Sequence, residues 1–234
     1  MGQLLVALDV ESGARAVALA RSLRDIAGGF KIGSRLFTLE GPGLVRQLVD
    51  SGVNVFLDLK FHDIPNTVAS AAESASRLGV SIFNVHALGG GEMMRAAADS
   101  VKDRGILWMT RPAVLGVTVL TSMDESNLAE VGVNTDMNSE VVRLATLARD
   151  SGLDGVVASP REIRLIREFV ASEGFIILTP GIRPAGSATG DQKRTATPLD
   201  AIRDGADFLV IGRAITSSDN PRAVAQRLLD EIGA

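Results

Sequence analysis

Apolar residues in this chain follow two alternating rhythms. Short, nearly continuous apolar runs occupy positions 4–9, 29–33, 53–61, 80–87, 113–121, 155–158, 175–179 and 208–213. Their length and continuity predict strands covered on both faces. Between them lie stretches with helical spacing. In 12–26, Ala16, Leu19, Ala20 and Leu23 share one face. The spacing predicts further helices over 43–51, after a Gly-Pro-Gly turn, over 64–78 before Gly79, and over 90–103. It continues over 139–151 before Gly152, from Pro160, over 198–204, and after Asp219-Asn220-Pro221. Pro and Asn at helix starts and Gly just past helix ends are the expected punctuation. The polar segment 122–138 has room for one short helix, and 183–197 reads as a Gly- and Pro-bearing loop.

Eight strands alternating with helices imply a parallel sheet with right-handed crossovers. At 234 residues this suits a closed α/β (β/α)8 barrel, with 1–234 forming a single domain. An open doubly wound sheet is the alternative, but the first turn lacks a Gly-x-Gly-x-x-Gly fingerprint.

Composition narrows the chemistry. A net charge of -4 argues against a nucleic-acid or membrane-surface partner, though not against one small anion. The absence of cysteine removes disulfides, thiolate nucleophiles and Cys-ligated metals. No His-x-x-x-His or paired-His arrangement points to a transition metal. Without a signal peptide or a long uncharged apolar run, the expected compartment is the cytoplasm.

Active sites of such barrels lie at the C-terminal ends of the strands. That rim is polar here: Asp9, Lys31, Asp58 with Lys60, His86, Thr121, Arg183 and Arg213 follow successive strands, and the opposite ends promise no comparable set. Alternation along a strand puts Asp58 and Lys60 on one face, with Leu57, Leu59 and Phe61 on the other. Asp63 follows at the strand exit, before Pro65. Charges withdrawn from water cost several kcal/mol unless paired, so the cluster reads as a site, with a structural ion pair as the rival. His62 is expected to pack or to bind a backbone group, and His86 to be a satisfied structural histidine. Asp9 has a rival role as a helix cap. After strands seven and eight, Gly181 and Gly212 would let backbone N–H groups approach an anion. Arg183 and Arg213 would supply guanidinium forks for phosphate.

The run Asp58-Leu59-Lys60-Phe61-His62-Asp63-Ile64-Pro65-Asn66-Thr67 resembles the signature of the orotidine 5'-phosphate decarboxylase family. The likeness extends through Ala7-Leu8-Asp9, Phe30-Lys31-Ile32-Gly33, Asn84-Val85-His86-Ala87, Leu120-Thr121-Ser122, Thr179-Pro180-Gly181-Ile182-Arg183 and Val210-Ile211-Gly212-Arg213. Metal-dependent relatives acting on sugar phosphates, such as keto-gulonate phosphate decarboxylase and hexulose phosphate synthase, share the Asp-x-Lys-x-x-Asp core. Lys31, the Phe-His between the charges, and Gln192-Lys193-Arg194 favour the orotidine branch.

The resemblance implies a carboxy-lyase that needs no cofactor and no metal. It would convert orotidine 5'-phosphate to uridine 5'-phosphate, the last step of pyrimidine nucleotide synthesis. It implies Lys60 as proton donor to C6 and Asp58 beside the departing carboxylate, with Lys31 and Asp63 completing a charge network. Asp9 and Lys31 would hold the ribose and Thr121 the base. Gln192, Gly212 and Arg213 would hold the phosphate, with Arg183 assisting. Asp63 and Thr67 would reach into the partner subunit's site of a homodimer. A metal-dependent enzyme on the same barrel and a silent nucleotide-binding barrel are the other readings.

Overall fold

The computed structural model describes residues 2–102, 111–170, 172–182 and 196–233. Strands β1 (Leu4–Ala7), β2 (Gly29–Gly33), β3 (Val55–Phe61), β4 (Ile82–His86), β5 (Ala113–Val117), β6 (Gly155–Val157), β7 (Ile176–Thr179) and β8 (Phe208–Ile211) pair in sequence order. All neighbours are parallel, and β8 closes on β1 through Leu4↔Leu209, Leu5↔Val210 and Val6↔Ile211. The expected (β/α)8 barrel is present.

Helices α1 (Gly13–Leu23), α2 (Ser34–Asp50), α3 (Pro65–Arg77), α4 (Gly90–Lys102), α5 (Glu125–Glu130), α6 (Met137–Asp150), α7 (Ile163–Phe169), α8 (Pro198–Asp204), α9 (Arg213–Thr216) and α10 (Pro221–Ile232) surround the strands. The two-residue period of the strands divides the core. Leu5, Ala7, Phe56, Ile82, Leu115, Val117, Val157, Leu178 and Val210 fill the barrel interior. Leu4, Val6, Phe30, Ile32, Val55, Leu57, Phe83 and Val85 face the helices, where Met93 and Met94 of α4 fill space as expected.

Most boundaries shift by one to three residues, and three differences are larger or bear on the site. Helix α2 starts at Ser34 and passes through the Gly-Pro-Gly segment, kinking at Gly41 (φ 66°, ψ −167°). Glycine's freedom at positive φ makes that break, and Pro42 restarts the helix where an N–H can be spared. Strand β5 stops at Val117 and β8 at Ile211, so Thr121 and Arg213 lie beyond the ladder on the rim. The N-terminal ends are not free of charge either. Arg111 pairs with Asp154, whose Oδ2 accepts the Val114 N–H at 2.8 Å. Arg167 pairs with Asp207, whose Oδ2 accepts the Ile177 N–H at 2.6 Å. These acids clamp neighbouring strands together at the closed end. There too, a Cβ on Gly155 would sit 2.1 Å from the Ile176 carbonyl oxygen, so only glycine fits.

Candidate active site

The charged residues converge where β1, β2 and β3 leave the barrel. Inward alternation on β2 gives Gly29, Lys31 and Gly33, and Gly33 stands beside Asp58 in the β2–β3 register. Because Gly33 has no side chain, the Lys31 stem folds over it. A Cβ there would lie 2.9 Å from Lys31 Nζ. Lys31 Nζ donates to Asp9 Oδ1 at 3.0 Å and lies 3.5 Å from Asp58 Oδ2. Lys60 Nζ donates to Asp58 Oδ1 at 2.6 Å. The result is a line, Asp9–Lys31–Asp58–Lys60, in which acid and base alternate. The centre is driest: the Lys31 and Asp58 side chains are 11% and 13% exposed, Lys60 35% and Asp9 53%. Asp9 serves this line and not the following helix, which Ser12 caps.

Asp58 is the electrostatic centre. Burial pushes its carboxyl up. Lys31 and Lys60, with hydrogen bonds from Lys60 and Asn84, outweigh that and hold it below the ordinary carboxylate range. His86 is moved the other way. Burial, then the nearby His62 and Lys60, hold it below the usual histidine value, partly offset by Asp58. The rings of His62 and His86 lie 5.6 Å apart. His86 Nδ1 has no hydrogen-bond partner among the described residues, which corrects the expectation of a satisfied histidine.

Beside the charged line is a cavity of about 490 Å³. Asp9, Lys31, Asp58, Lys60, Thr121, Gly181, Gly212 and Arg213 form its polar wall, and Phe56, Val117, Val157, Leu178 and Val210 its apolar floor. Arg35, not singled out in the sequence, and Ser122, next to Thr121, also line it. The chamber suits a flat, polar ring over apolar residues, with an anionic tail toward Gly212 and Arg213.

Two expected participants stand apart. Asp63 is exposed and accepts the Ile64 N–H at 2.6 Å, so one chain alone does not bring it into the charged line. Thr67, in the first turn of α3, is exposed and lies outside the cavity wall. Arg183 and Gln192 lie outside the described residues.

The residue that the pattern of charges did not reveal is Asn84. Its fully buried amide accepts the Lys60 N–H at 2.8 Å and donates to Asp58 Oδ1 at 2.8 Å. The available signal was a lone polar residue in the middle of an apolar strand.

Comparison with known proteins agrees with the barrel fold. Residues 2–228 match the model of the family described as "Orotidine 5'-phosphate decarboxylase / HUMPS family". The chain is 54% identical to the orotidine 5'-phosphate decarboxylase of Syntrophotalea carbinolica, covering 99% of this chain and 95% of that one. It is 52% identical to the same enzyme of Moorella thermoacetica, over 98% and 92%. Among solved structures, orotidine 5'-phosphate decarboxylase from Lactobacillus acidophilus superimposes with a TM-score of 0.85 at 34% identity, covering 100% of both chains. An eight-stranded barrel, a line of alternating charges at its mouth and this similarity along nearly the whole chain lead to one assignment: the chain belongs to the orotidine 5'-phosphate decarboxylase / HUMPS family.

Proposed function

We propose that this chain decarboxylates orotidine 5'-phosphate to uridine 5'-phosphate and CO2, the closing step of pyrimidine nucleotide synthesis, with Lys60 protonating C6. The observation that carries this reading is Lys60 Nζ fixed 2.6 Å from Asp58 Oδ1 on the wall of a nucleotide-sized cavity.

Breaking the C6–carboxylate bond leaves an electron pair on C6 in the plane of the ring, where the π-system cannot delocalise it. An ammonium already aimed at C6 stabilises that charge as it forms and then transfers its proton to it. Lys60 regains a proton from solvent after product leaves. Asp58 orients Lys60 and stands beside the departing carboxylate. Repulsion there is a secondary contribution, after preorganised stabilisation by Lys60. Lys31, joined to both Asp9 and Asp58, ties ribose binding to the reacting end.

Thr121 meets the base. Gly212 and Arg213, with Arg183 and Gln192, hold the phosphate. Asp63 and Thr67 serve the partner's site in a homodimer. Their exposure fits that role, as does that of Ile64 (66%) and Leu88 (39%), apolar residues following β3 and β4. One domain, 1–234, carries the whole activity without a cofactor. The setting proposed is the cytoplasm; among the described residues no helix is long and apolar enough to cross a membrane.

The test is the ultraviolet absorbance of orotidine 5'-phosphate mixed with purified protein in excess EDTA. Conversion to uridine 5'-phosphate, abolished in Lys60→Ala while uridine 5'-phosphate still binds, is the expected result. Turnover that needs added Mg²⁺ moves the chain to the metal-dependent branch of the family. Substantial turnover by Lys60→Ala overturns the proton-donor role.

A further inference from the structure

Lys60 holds its reactive amine at the end of a backbone conformation that few side-chain-bearing residues adopt. Its φ is +53°, and it is the only non-glycine residue at positive φ among those described. That conformation is disfavoured for a residue with a side chain and persists only where the surroundings over-determine it. The pairing of β3 with β4 shows what determines it. Leu57 pairs with Phe83 and Phe61 with Val85, so Asp58, Leu59 and Lys60 stand opposite Asn84 alone. This bulge takes Lys60 out of the ladder and leaves its N–H without a backbone carbonyl from β4.

The Asn84 side chain takes that carbonyl's place. Its Oδ1 accepts the Lys60 N–H and its Nδ2 donates to Asp58 Oδ1, the same oxygen that receives Lys60 Nζ. Only one orientation of the amide puts an acceptor against an N–H and a donor against a carboxylate, so the chemistry of both partners fixes the rotamer. A purely structural buried amide would satisfy any two polar groups of the sheet. Both partners here are residues that the proposed function places at the reacting bond.

We propose that Asn84 is the positioning residue of this pair, holding Lys60 in its left-handed conformation and Asp58 in the orientation that aims the lysine amine. The proposal rests on the decarboxylase reading above. Asn84 is not among the residues of the cavity wall, so it acts through Asp58 and Lys60.

The experiment uses the full chain with Asn84→Ala and Asn84→Asp, measuring kcat and KM for orotidine 5'-phosphate between pH 5 and 9. Displacing a reacting group by an ångström costs about 10²-fold in rate. Asn84→Ala is expected to lose about 10²-fold in kcat with KM changed less than about threefold, since the ribose and phosphate contacts are untouched. Asn84→Asp is nearly isosteric and keeps the fold testable if the alanine variant does not. Its introduced carboxylate faces Asp58. Around them stand Lys31 of β2, Lys60 of β3, His86 of β4 and His62 beyond β3, while β5 presents Leu115 in register with Asn84. The two lysines keep Asp58 ionised, so a shared proton resides on the introduced carboxyl, which then donates as the amide did. Activity of Asn84→Asp relative to wild type at each pH, which cancels His86, is therefore expected to rise as pH falls.

A kcat for Asn84→Ala within threefold of wild type overturns the inference. So does an Asn84→Asp profile parallel to wild type. Wild-type protein that leaves orotidine 5'-phosphate unchanged overturns the decarboxylase reading itself, an outcome separate from the other two.

Discussion

Gly33→Ala separates catalysis from stability at a single methyl group. The new Cβ would lie 2.9 Å from Lys31 Nζ and 3.5 Å from Asp9 Oδ1. Ordinary contact begins near 3.4 Å, so Lys31 Nζ must retreat by about 0.5 Å. Because Nζ is held between Asp9 and Asp58, at 3.0 and 3.5 Å, the retreat is expected to lengthen one or both contacts. At about 10²-fold per ångström of misplacement, half an ångström costs about tenfold in kcat/KM. Stability changes little. Gly33 has φ −94° and ψ 175°, which alanine adopts freely. The lower chain entropy of alanine contributes about 0.4–1 kcal/mol, and its poorer fit at the N-cap of α2 removes a similar amount. The thermal midpoint should stay within about 4 °C of wild type. Initial rates by ultraviolet absorbance and thermal unfolding by circular dichroism decide the matter. A folded Gly33→Ala protein with kcat/KM within twofold of wild type refutes the argument that Lys31 is held in place by the bare glycine.

At the opposite end of the barrel the reverse pattern is expected. Asp207→Ala removes an ion pair and strands the Ile177 N–H, but Arg167 keeps the carbonyls of Phe175 and Gly205. The loss should be about 1–2 kcal/mol, or about 2–8 °C in midpoint, with kcat/KM unchanged; a fall in kcat/KM with an unchanged midpoint refutes it. Stability should also fall in acid in two windows. His86 is held below 6.5, so the unfolded chain binds the extra proton, and stability declines as pH drops from about 6.5 through the folded value. Asp58 is held below 3.8, so its contribution is present above about pH 4 and is lost as pH falls further. Denaturant midpoints for wild type and His86→Asn should keep a constant separation above about pH 6.5, and wild type should fall relative to the variant as pH drops below it; curves that stay parallel throughout refute the assignment of the upper window to His86.

The barrel was legible because each strand is covered on both faces, which makes eight apolar runs stand out against amphipathic helices. The rim was legible because charges at the ends of such runs have few other places to be. The helix boundaries were less so. Gly41-Pro42-Gly43 reads locally as a break, yet α2 begins a full two turns earlier because Leu36 is buried against the core and carries the helix through the kink. Asp63 belongs by sequence to the same six-residue cluster as Asp58 and Lys60. In the fold it turns to the Ile64 N–H, because the chain leaves the barrel at that point. The clamps at Asp154 and Asp207 were missed because residues 40 or more positions apart supply their partners, Arg111 and Arg167.

Regular alternation predicted the right company for Lys60 by the wrong route. A flat strand would put Asp58 and Lys60 on one face at the ordinary two-residue spacing. The strand is instead bulged, with Lys60 at positive φ, and its amine returns to within 2.6 Å of Asp58. No local signal in Asp-Leu-Lys encodes that turn, because a lysine has no preference for it. The information lies 24 residues away, in one amide on the next strand. The placement of the Lys60 amine is thus a property of the β3–β4 pair and not of the charged motif alone, so transplanting the motif without the asparagine is expected to carry the charges and lose their geometry.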